Sequence, residues 1–131
     1  MLFDFETNYE TDFEKKSCHL FEIDEGFLKG NMFSELYEPY KNYKPKELKP
    51  TSEREALLYA IIKICFAIND LNLYLDLNPH DTETYEIFKK YCVLYDKCLE
   101  EYERKYQVLN LTHDTYGKYT WISNPWPWED R

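Results

Sequence analysis

Glycine is scarce in this sequence, with three residues in a chain of 131. The sequence contains no glycine-rich loop that could cradle a phosphate, no dinucleotide-binding fingerprint and no serine nucleophile motif. So few glycines favour rigid contact surfaces over mobile catalytic loops. We therefore expect no catalytic residue, no bound cofactor and no enzymatic activity.

Metal-ligand patterns are missing as well. The four cysteines form no Cys-x-x-Cys pair, and no Glu-x-x-His pair of the kind found in di-metal helical bundles occurs. His19, His80 and His113 fall outside the helix interiors predicted below. Cys65 and Cys92 occupy apolar helix positions, where cysteine usually packs as a small hydrophobic residue. We expect no metal site.

Basic residues are outnumbered by acidic ones, 16 to 25, which gives a formal net charge of −9. Nucleic acids and anionic membranes both attract a basic face, so neither is an expected partner. The longest apolar run, Ala56–Ile62, is too short to span a bilayer, and the first residues do not read as a secretory signal. We expect synthesis in a reducing cytosol, with the thiols free.

Aromatic residues, in contrast, are abundant. Thirteen tyrosines, eight phenylalanines and three tryptophans make up 18% of the chain. Rigid rings with an apolar body and a polar edge are typical of protein–protein contacts. The composition therefore predicts a protein that works by binding other proteins.

Four segments differ in composition. Residues 1–40 are acidic and aromatic, residues 41–50 form a Lys/Pro-rich linker, residues 51–110 are strongly periodic, and residues 111–131 are irregular again. We divide the chain into an upstream unit, 1–50, and a helical unit, 51–131. The predicted fold class is all-α.

The periodic segment predicts two helices, near 52–77 and 79–108. Ser52 and Glu55 form a capping box at the start, and Asn78 followed by Pro79 ends the first helix. A turn this short makes the helices antiparallel. The stripes expected to face each other are Leu57, Ile61, Ile64, Ile68 and Leu71 on the first helix, and Phe88, Cys92, Tyr95 and Leu99 on the second. We predict a two-helix hairpin between irregular, aromatic-rich N- and C-terminal segments.

The first helix has apolar side chains beyond this stripe. They are Leu58, Ile62, Phe66 and Leu73. Leaving four large side chains in water would forfeit several kcal/mol, at roughly 1.5–3 kcal/mol each. We expect residues 27–40, the C-terminal tail, a second copy of the chain or another protein to cover this second face.

The tail places three tryptophans within eight residues. Trp121, Trp126 and Trp128 alternate with Pro125 and Pro127. The tail either folds back onto the second face or presents its indoles to a groove on another protein. Together with the second face, it forms the predicted partner-binding set.

Two signatures in the helical unit occur together and in order. They are LNLYLD with a following proline (Leu71–Asp76, Pro79) and the terminal PWPWE (Pro125–Glu129). Through them residues 51–131 resemble the bacterial spore coat protein family CotJB. Upstream, residues 27–41 are similar to the companion coat family CotJA, whose core matches Gly30, Phe33, Glu35, Leu36 and Pro39.

The resemblance implies a structural or assembly role in the spore coat, after synthesis in the mother-cell cytoplasm. It implies other coat proteins as partners, among them a CotJC companion that resembles manganese catalases. It brings no active site to the hairpin. The alternative hypothesis is a small-ligand or metal-handling helper, such as a maturation factor for a metalloenzyme.

Overall fold

The computed structural model of the protein describes residues 20–115, 117–122 and 129. Three α-helices lie in this part of the chain: α1 (Ile23–Lys29), α2 (Glu53–Leu77) and α3 (Thr82–Lys105). Short 3₁₀ turns occur at Ser34–Leu36 and Leu111–His113, and the described residues contain no strand. The predicted all-α class is confirmed. Four predicted tail residues, Pro125, Trp126, Pro127 and Trp128, lie outside the described residues.

Helix α2 begins at the predicted capping box. The Ser52 hydroxyl oxygen accepts a hydrogen bond from the Glu55 N–H at 3.1 Å. The Glu55 carboxylate in turn accepts bonds from the Thr51 N–H at 2.7 Å and the Thr51 hydroxyl at 2.8 Å. These bonds from Thr51 lower the pKa of Glu55. The Ser52 bond satisfies the Glu55 N–H, a donor that an uncapped first turn would leave free.

The two long helices are separated by a turn, Asn78–Asp81, which contains Pro79 as predicted. The Asp81 carboxylate caps α3, because it accepts bonds from the Thr84 N–H at 3.1 Å and the Thr84 hydroxyl at 2.9 Å. The Tyr74 hydroxyl of α2 donates to the same carboxylate at 2.7 Å. Helix α3 starts three residues later than predicted, because Asp81 provides its cap.

Helices α2 and α3 run antiparallel. They are joined by the short turn at one end, and at the other end Lys105 Nζ lies 2.6 Å from Glu53 Oε1. Most of the core lies between them. The buried residues of α2 are Leu57, Ala60, Ile61, Ile64, Ala67 and Leu71, and those of α3 are Thr84, Tyr91, Cys98, Leu99, Tyr102 and Glu103.

The buried face of α3 is rotated from the predicted stripe. Tyr91 is 3% exposed and Cys98 is 1% exposed, whereas Phe88, Cys92 and Tyr95 are only partly buried. Apolar residues cover about half of the circumference of α3. Their spacing therefore does not decide which part of that half faces α2.

The prediction of an irregular upstream segment is wrong for residues Ile23–Lys29, which form α1. The side chain of Ile23 is 1% exposed, and the helix ends at Gly30 in a left-handed conformation, with φ 73°. A seven-residue helix is too short to persist through its own propensity. It forms because it packs on α2, and such tertiary support leaves little periodic signal in the sequence.

Helix α1 covers one side of α2. The Phe27 ring lies 5.7 Å from the Tyr59 ring and 5.8 Å from the Phe66 ring, between ring centroids. Asp24 of α1 pairs with Lys63 of α2. Upstream residues therefore contact Phe66, as expected, but they leave Ile62 47% exposed.

The chain after α1 continues this contact. The Met32 N–H donates to Asp70 Oδ2 at 2.8 Å, and the Met32 side chain is fully buried. The Phe33 ring then packs on the Tyr74 ring at 4.6 Å. We call residues 20–37 the docked segment. Contacts between α1 and α2 thus join the two predicted units, whose boundary at residue 50 stays a prediction.

Helix α2 is long and apolar enough, by length and composition alone, to cross a membrane. The core helix of a soluble protein can have the same length and composition, so these features alone do not indicate a membrane span. The run Ala56–Ile62, interrupted by Lys63, covers only part of the apolar stretch of this helix. Apolar side chains of α2 pack against both α1 and α3, which a helix with a single neighbour would not require. The absence of membrane insertion stays a prediction.

Two isoleucines on α2 test this description of the core. Ile64 has no exposed surface, whereas Ile62 is 47% exposed. We expect Ile64→Ala to lower the free energy of unfolding by about 2–5 kcal/mol, because it leaves a cavity. Ile62→Ala, the same change two residues earlier, is expected to cost less than about 1 kcal/mol. Urea denaturation followed by circular dichroism measures both, and equal losses would contradict the assigned core.

Candidate partner-binding surface

Helix α2 carries an apolar strip that neither α1 nor α3 fully covers. Ile62 is 47% exposed, Leu73 is 57% exposed, and Cys65 is also exposed. With the partly buried Leu58, these residues recur at helical spacing and share one side of α2. We call Leu58, Ile62, Cys65 and Leu73 the open strip.

The open strip carries no charge. The other exposed residues on this side, between Glu55 and Asp76, are Asn69 and Asn72. An uncharged apolar surface on a protein with a net charge of −9 stands apart from its surroundings. Such a surface favours contact with an apolar partner.

Tyr95 of α3 is partly buried. Burial raises the pKa of its phenol, and the charges of Cys65 and Glu103 add to the shift. Glu103 also contacts the segment that follows α3.

That following segment is held by Glu103, which is 5% exposed. Its carboxylate accepts a hydrogen bond from the Leu109 N–H at 3.0 Å. His113 Nδ1 lies 3.0 Å from one carboxylate oxygen and 3.1 Å from the other. A buried carboxylate is costly unless it is paired or hydrogen-bonded, so these contacts fix the path of the chain. Val108, 4% exposed, is buried as a result.

The tail starts from a second fixed point. The Asp114 carboxylate accepts bonds from the backbone N–H of Thr120 at 2.8 Å and of Trp121 at 2.9 Å. Burial acts to raise the pKa of Asp114, but the bonds from Trp121 and Thr120 lower it overall. Trp121, the one described residue of the predicted tail set, is partly buried.

The structure separates the predicted partner-binding residues of α2. Ile62 and Leu73 are exposed, Leu58 is partly buried on the same side, and Phe66 lies against a ring of α1. Sequence reasoning did not include Cys65 in the set. Its position three residues after Ile62 was the available signal, but cysteine was read as a core residue.

Comparison with protein families adds an independent observation. The family model described as CotJB protein matches residues 55–129, more than half of the chain. The chain belongs to the CotJB family. Membership associates it with the bacterial spore coat, as the two signatures implied. The match does not reach the upstream segment, whose CotJA-like character stays a prediction. No curated protein and no solved structure matches the chain significantly.

Within residues 20–115, 117–122 and 129 of this CotJB-family chain, no three His, Cys, Asp or Glu side chains are grouped so that they could hold a metal ion. This finding concerns the described residues alone. The expectations of no metal, no cofactor and no catalytic residue stay predictions.

The three described cysteines of this CotJB-family chain lie in different surroundings. Cys65 is exposed, Cys92 is partly buried and Cys98 is 1% exposed. Burial, with a smaller effect of the Glu101 charge, raises the pKa of Cys98 to about 12. Burial also raises the pKa of Cys92. The thiolate is the reactive form, so burial lowers the reactivity of Cys92 and Cys98 both by limiting access and by raising the pKa.

We expect iodoacetamide at pH 8 to label Cys65 first, Cys92 more slowly and Cys98 only after unfolding. Burial of Cys92 and Cys98 raises their pKa, which lowers the fraction of thiolate, and it also blocks the approach of the reagent. Timed labelling followed by peptide mass spectrometry gives the rate at each residue. Labelling of Cys98 at the Cys65 rate in the folded protein would contradict the assignment.

The raised pKa of Cys98 predicts that the folded protein loses stability in alkali. Its folded pKa of about 12 lies above the ordinary value of 9.0, so the folded state retains a proton that the unfolded state releases. This contribution is complete below pH 9 and is lost as pH rises toward 12, by about 1.4 kcal/mol per pH unit at most. Urea denaturation of wild type and Cys98→Ala at pH 8 and pH 10 isolates it. An equal pH dependence in both proteins would refute it.

The hydrogen bond between Glu103 and Leu109 predicts that loss of the Glu103 carboxylate loosens the segment after α3. Glu103→Ala removes the acceptor of the Leu109 N–H, so we expect a loss of about 1–3 kcal/mol of stability and faster proteolysis after Tyr106. Glu100→Ala is the matched control, because Glu100 is exposed and pairs only at the surface with Arg104. Limited proteolysis with mass analysis locates the cuts. Equal protection in both variants would show that Glu103 does not hold this segment.

Proposed function

We propose that this CotJB-family protein is an assembly component of the spore coat that binds other coat proteins. Its binding surface is the open strip together with the tryptophan-rich tail. The observation that carries the proposal is the exposure of Ile62 and Leu73, which remain uncovered although α1 and α3 pack on the other sides of the same helix.

The strip alone is small for this task. Burying a large apolar side chain contributes roughly 1.5–3 kcal/mol at full burial, and micromolar affinity requires about 8 kcal/mol. A strip of four side chains, two of them half exposed, falls short of that value after the costs of association. The tryptophans of the tail, which follow the segment held by Glu103, supply the additional apolar area.

The proposed partners are other coat proteins, including a companion that resembles manganese catalases. The sequence resemblance to the CotJB family implies this companion, and an uncharged apolar strip is the kind of surface on which a folded partner can dock. In this proposal the protein has no enzymatic activity of its own, and any redox chemistry belongs to the partner. It is made in the mother-cell cytoplasm and then enters the coat.

The alternative role, a helper that handles a metal or small ligand, predicts a different result in solution. A helper that delivers a metal must bind it, so metal analysis of the purified full-length chain would find manganese or iron near one per chain. An assembly protein would contain neither at that ratio. No arrangement among the described residues specifically favours the helper role.

Lysine substitutions on the two exposed sides of the helix pair test the assembly role. Ile62→Lys places a charge in the open strip, whereas Val93→Lys places it on α3, where Val93 is 55% exposed and away from the strip. We expect Ile62→Lys to reduce the amount in the coat at least 10-fold, because a buried unpaired lysine opposes docking. Val93→Lys should behave as wild type.

The measurement is quantitative mass spectrometry of coat extracts from spores that carry each variant as their sole copy. Circular dichroism of the purified variants checks that both keep the wild-type helix content. Equal incorporation of Ile62→Lys and Val93→Lys would refute binding through the open strip.

A further inference from the structure

We propose that the docked segment exchanges between molecules, so that residues 20–37 of one copy occupy α2 of another copy. The proposal rests on the assembly role, because it describes how copies of this chain join within a layer. It adds a second contact surface, on a different side of α2 from the open strip.

The docked segment holds its own shape. The Phe21 N–H donates to the Met32 carbonyl at 2.8 Å, and Leu20 and Phe33 form a β-bridge. Lys29 Nζ lies 4.1 Å from the centroid of the Phe21 ring. These contacts lie within the segment, so the same bonds form whether it docks on its own α2 or on the α2 of another copy.

The site that receives the segment lies on a single helix. Among the three helices, α1 contacts α2 and not α3. The rings of Tyr59, Phe66 and Tyr74, together with the Asp70 carboxylate, supply the contacts. Every copy therefore presents the complete receiving surface on its own α2, and a segment from a second copy meets the same groups.

The linker gives the segment the reach to make this transfer. Every residue from Glu38 to Pro50 is exposed. The distance along α2 from Tyr74, beside Phe33, back to Ser52 is about 33 Å at 1.5 Å per residue. The nineteen Cα–Cα steps from Phe33 to Ser52 extend to about 60 Å. The surplus is larger than the diameter of a neighbouring helix, which is about 10 Å.

Concentration decides which copy receives the segment. The linker keeps the segment near its own α2, so docking within one molecule wins in dilute solution. In a closely packed layer, neighbouring copies reach a comparable local concentration, and exchange competes. Exchange links the copies through an existing interface and requires no new contact surface.

Shortening the linker tests the exchange in the purified protein. Deleting residues 38–49 leaves six residues between Phe33 and Ser52, and the seven Cα–Cα steps span at most about 25 Å and cannot bridge about 33 Å. We expect this deletion variant to run at twice the monomer mass or higher at micromolar concentration, with unchanged helix content. A variant with Gly and Ser at all of positions 38–49 keeps the length and should stay monomeric.

A second substitution shows whether the segment causes the association. Met32 is fully buried at the receiving surface, so Met32→Asp in the deletion variant is expected to restore the monomer. An association that persists with Met32→Asp would overturn the proposal. A deletion variant that remains monomeric, whether its segment is cleaved by protease or protected, would overturn it as well.

Mixing two full-length variants gives an independent measurement with the natural linker. Met32→Asp retains the receiving surface but loses the segment, and Asp70→Lys retains the segment but loses the acceptor for the Met32 N–H. We expect native mass spectrometry to find 1:1 heterodimers in the mixture and none in either variant alone. Absence of the heterodimer would overturn exchange. It would not affect the assembly role, which the incorporation of Ile62→Lys into the coat tests independently.

Discussion

The apolar excess of helix α2 is the constraint on which the rest of the structure depends. A helix with apolar side chains around most of its circumference cannot satisfy them against a single neighbour. Helix α3 covers one side, the docked segment covers a second, and the open strip is what remains. The parts of the fold that stabilise the protein and the surface proposed to bind partners are therefore different sides of one helix.

Hydrogen-bonded carboxylates fix the arrangement that apolar burial alone leaves undetermined. Burial is non-directional and tolerates several rotations of one helix on another. Asp81 accepts bonds from both long helices, Asp70 accepts the Met32 N–H, and Glu103 accepts the Leu109 N–H. The last two join segments that approach α2 or α3 from outside the helix pair. Glu103 is buried, so leaving its carboxylate without a donor would be costly, and competing arrangements of the segment after α3 are disfavoured.

Local signals in the sequence were enough to predict α2, because its cap, its apolar spacing and its proline-containing end each act within a few residues. They were not enough where tertiary contact decides. Helix α1 depends on rings of α2, and the rotation of α3 depends on which part of a broad apolar face meets α2. For the surface, spacing placed Ile62 and Leu73 on one side of α2, where the structure leaves both exposed; their role in binding stays a prediction. The contact between Phe66 and Phe27 and the exposure of Cys65 could not be predicted from spacing, because both depend on how the helices pack.

The two proposed contacts lie on different sides of α2, so they can operate in the same molecule at the same time. Under segment exchange, a copy gives its segment to one neighbour and receives a segment from one neighbour. When these are two different molecules, exchange produces a chain of copies, and when they are the same molecule it produces a closed dimer. Binding through the open strip and tail adds a contact in another direction. Three contacts per molecule are the smallest number that can build a branched network, whereas two build only chains and rings. A small helical protein with an incompletely covered core helix can thus contribute to an extended layer without a large interface at any single contact.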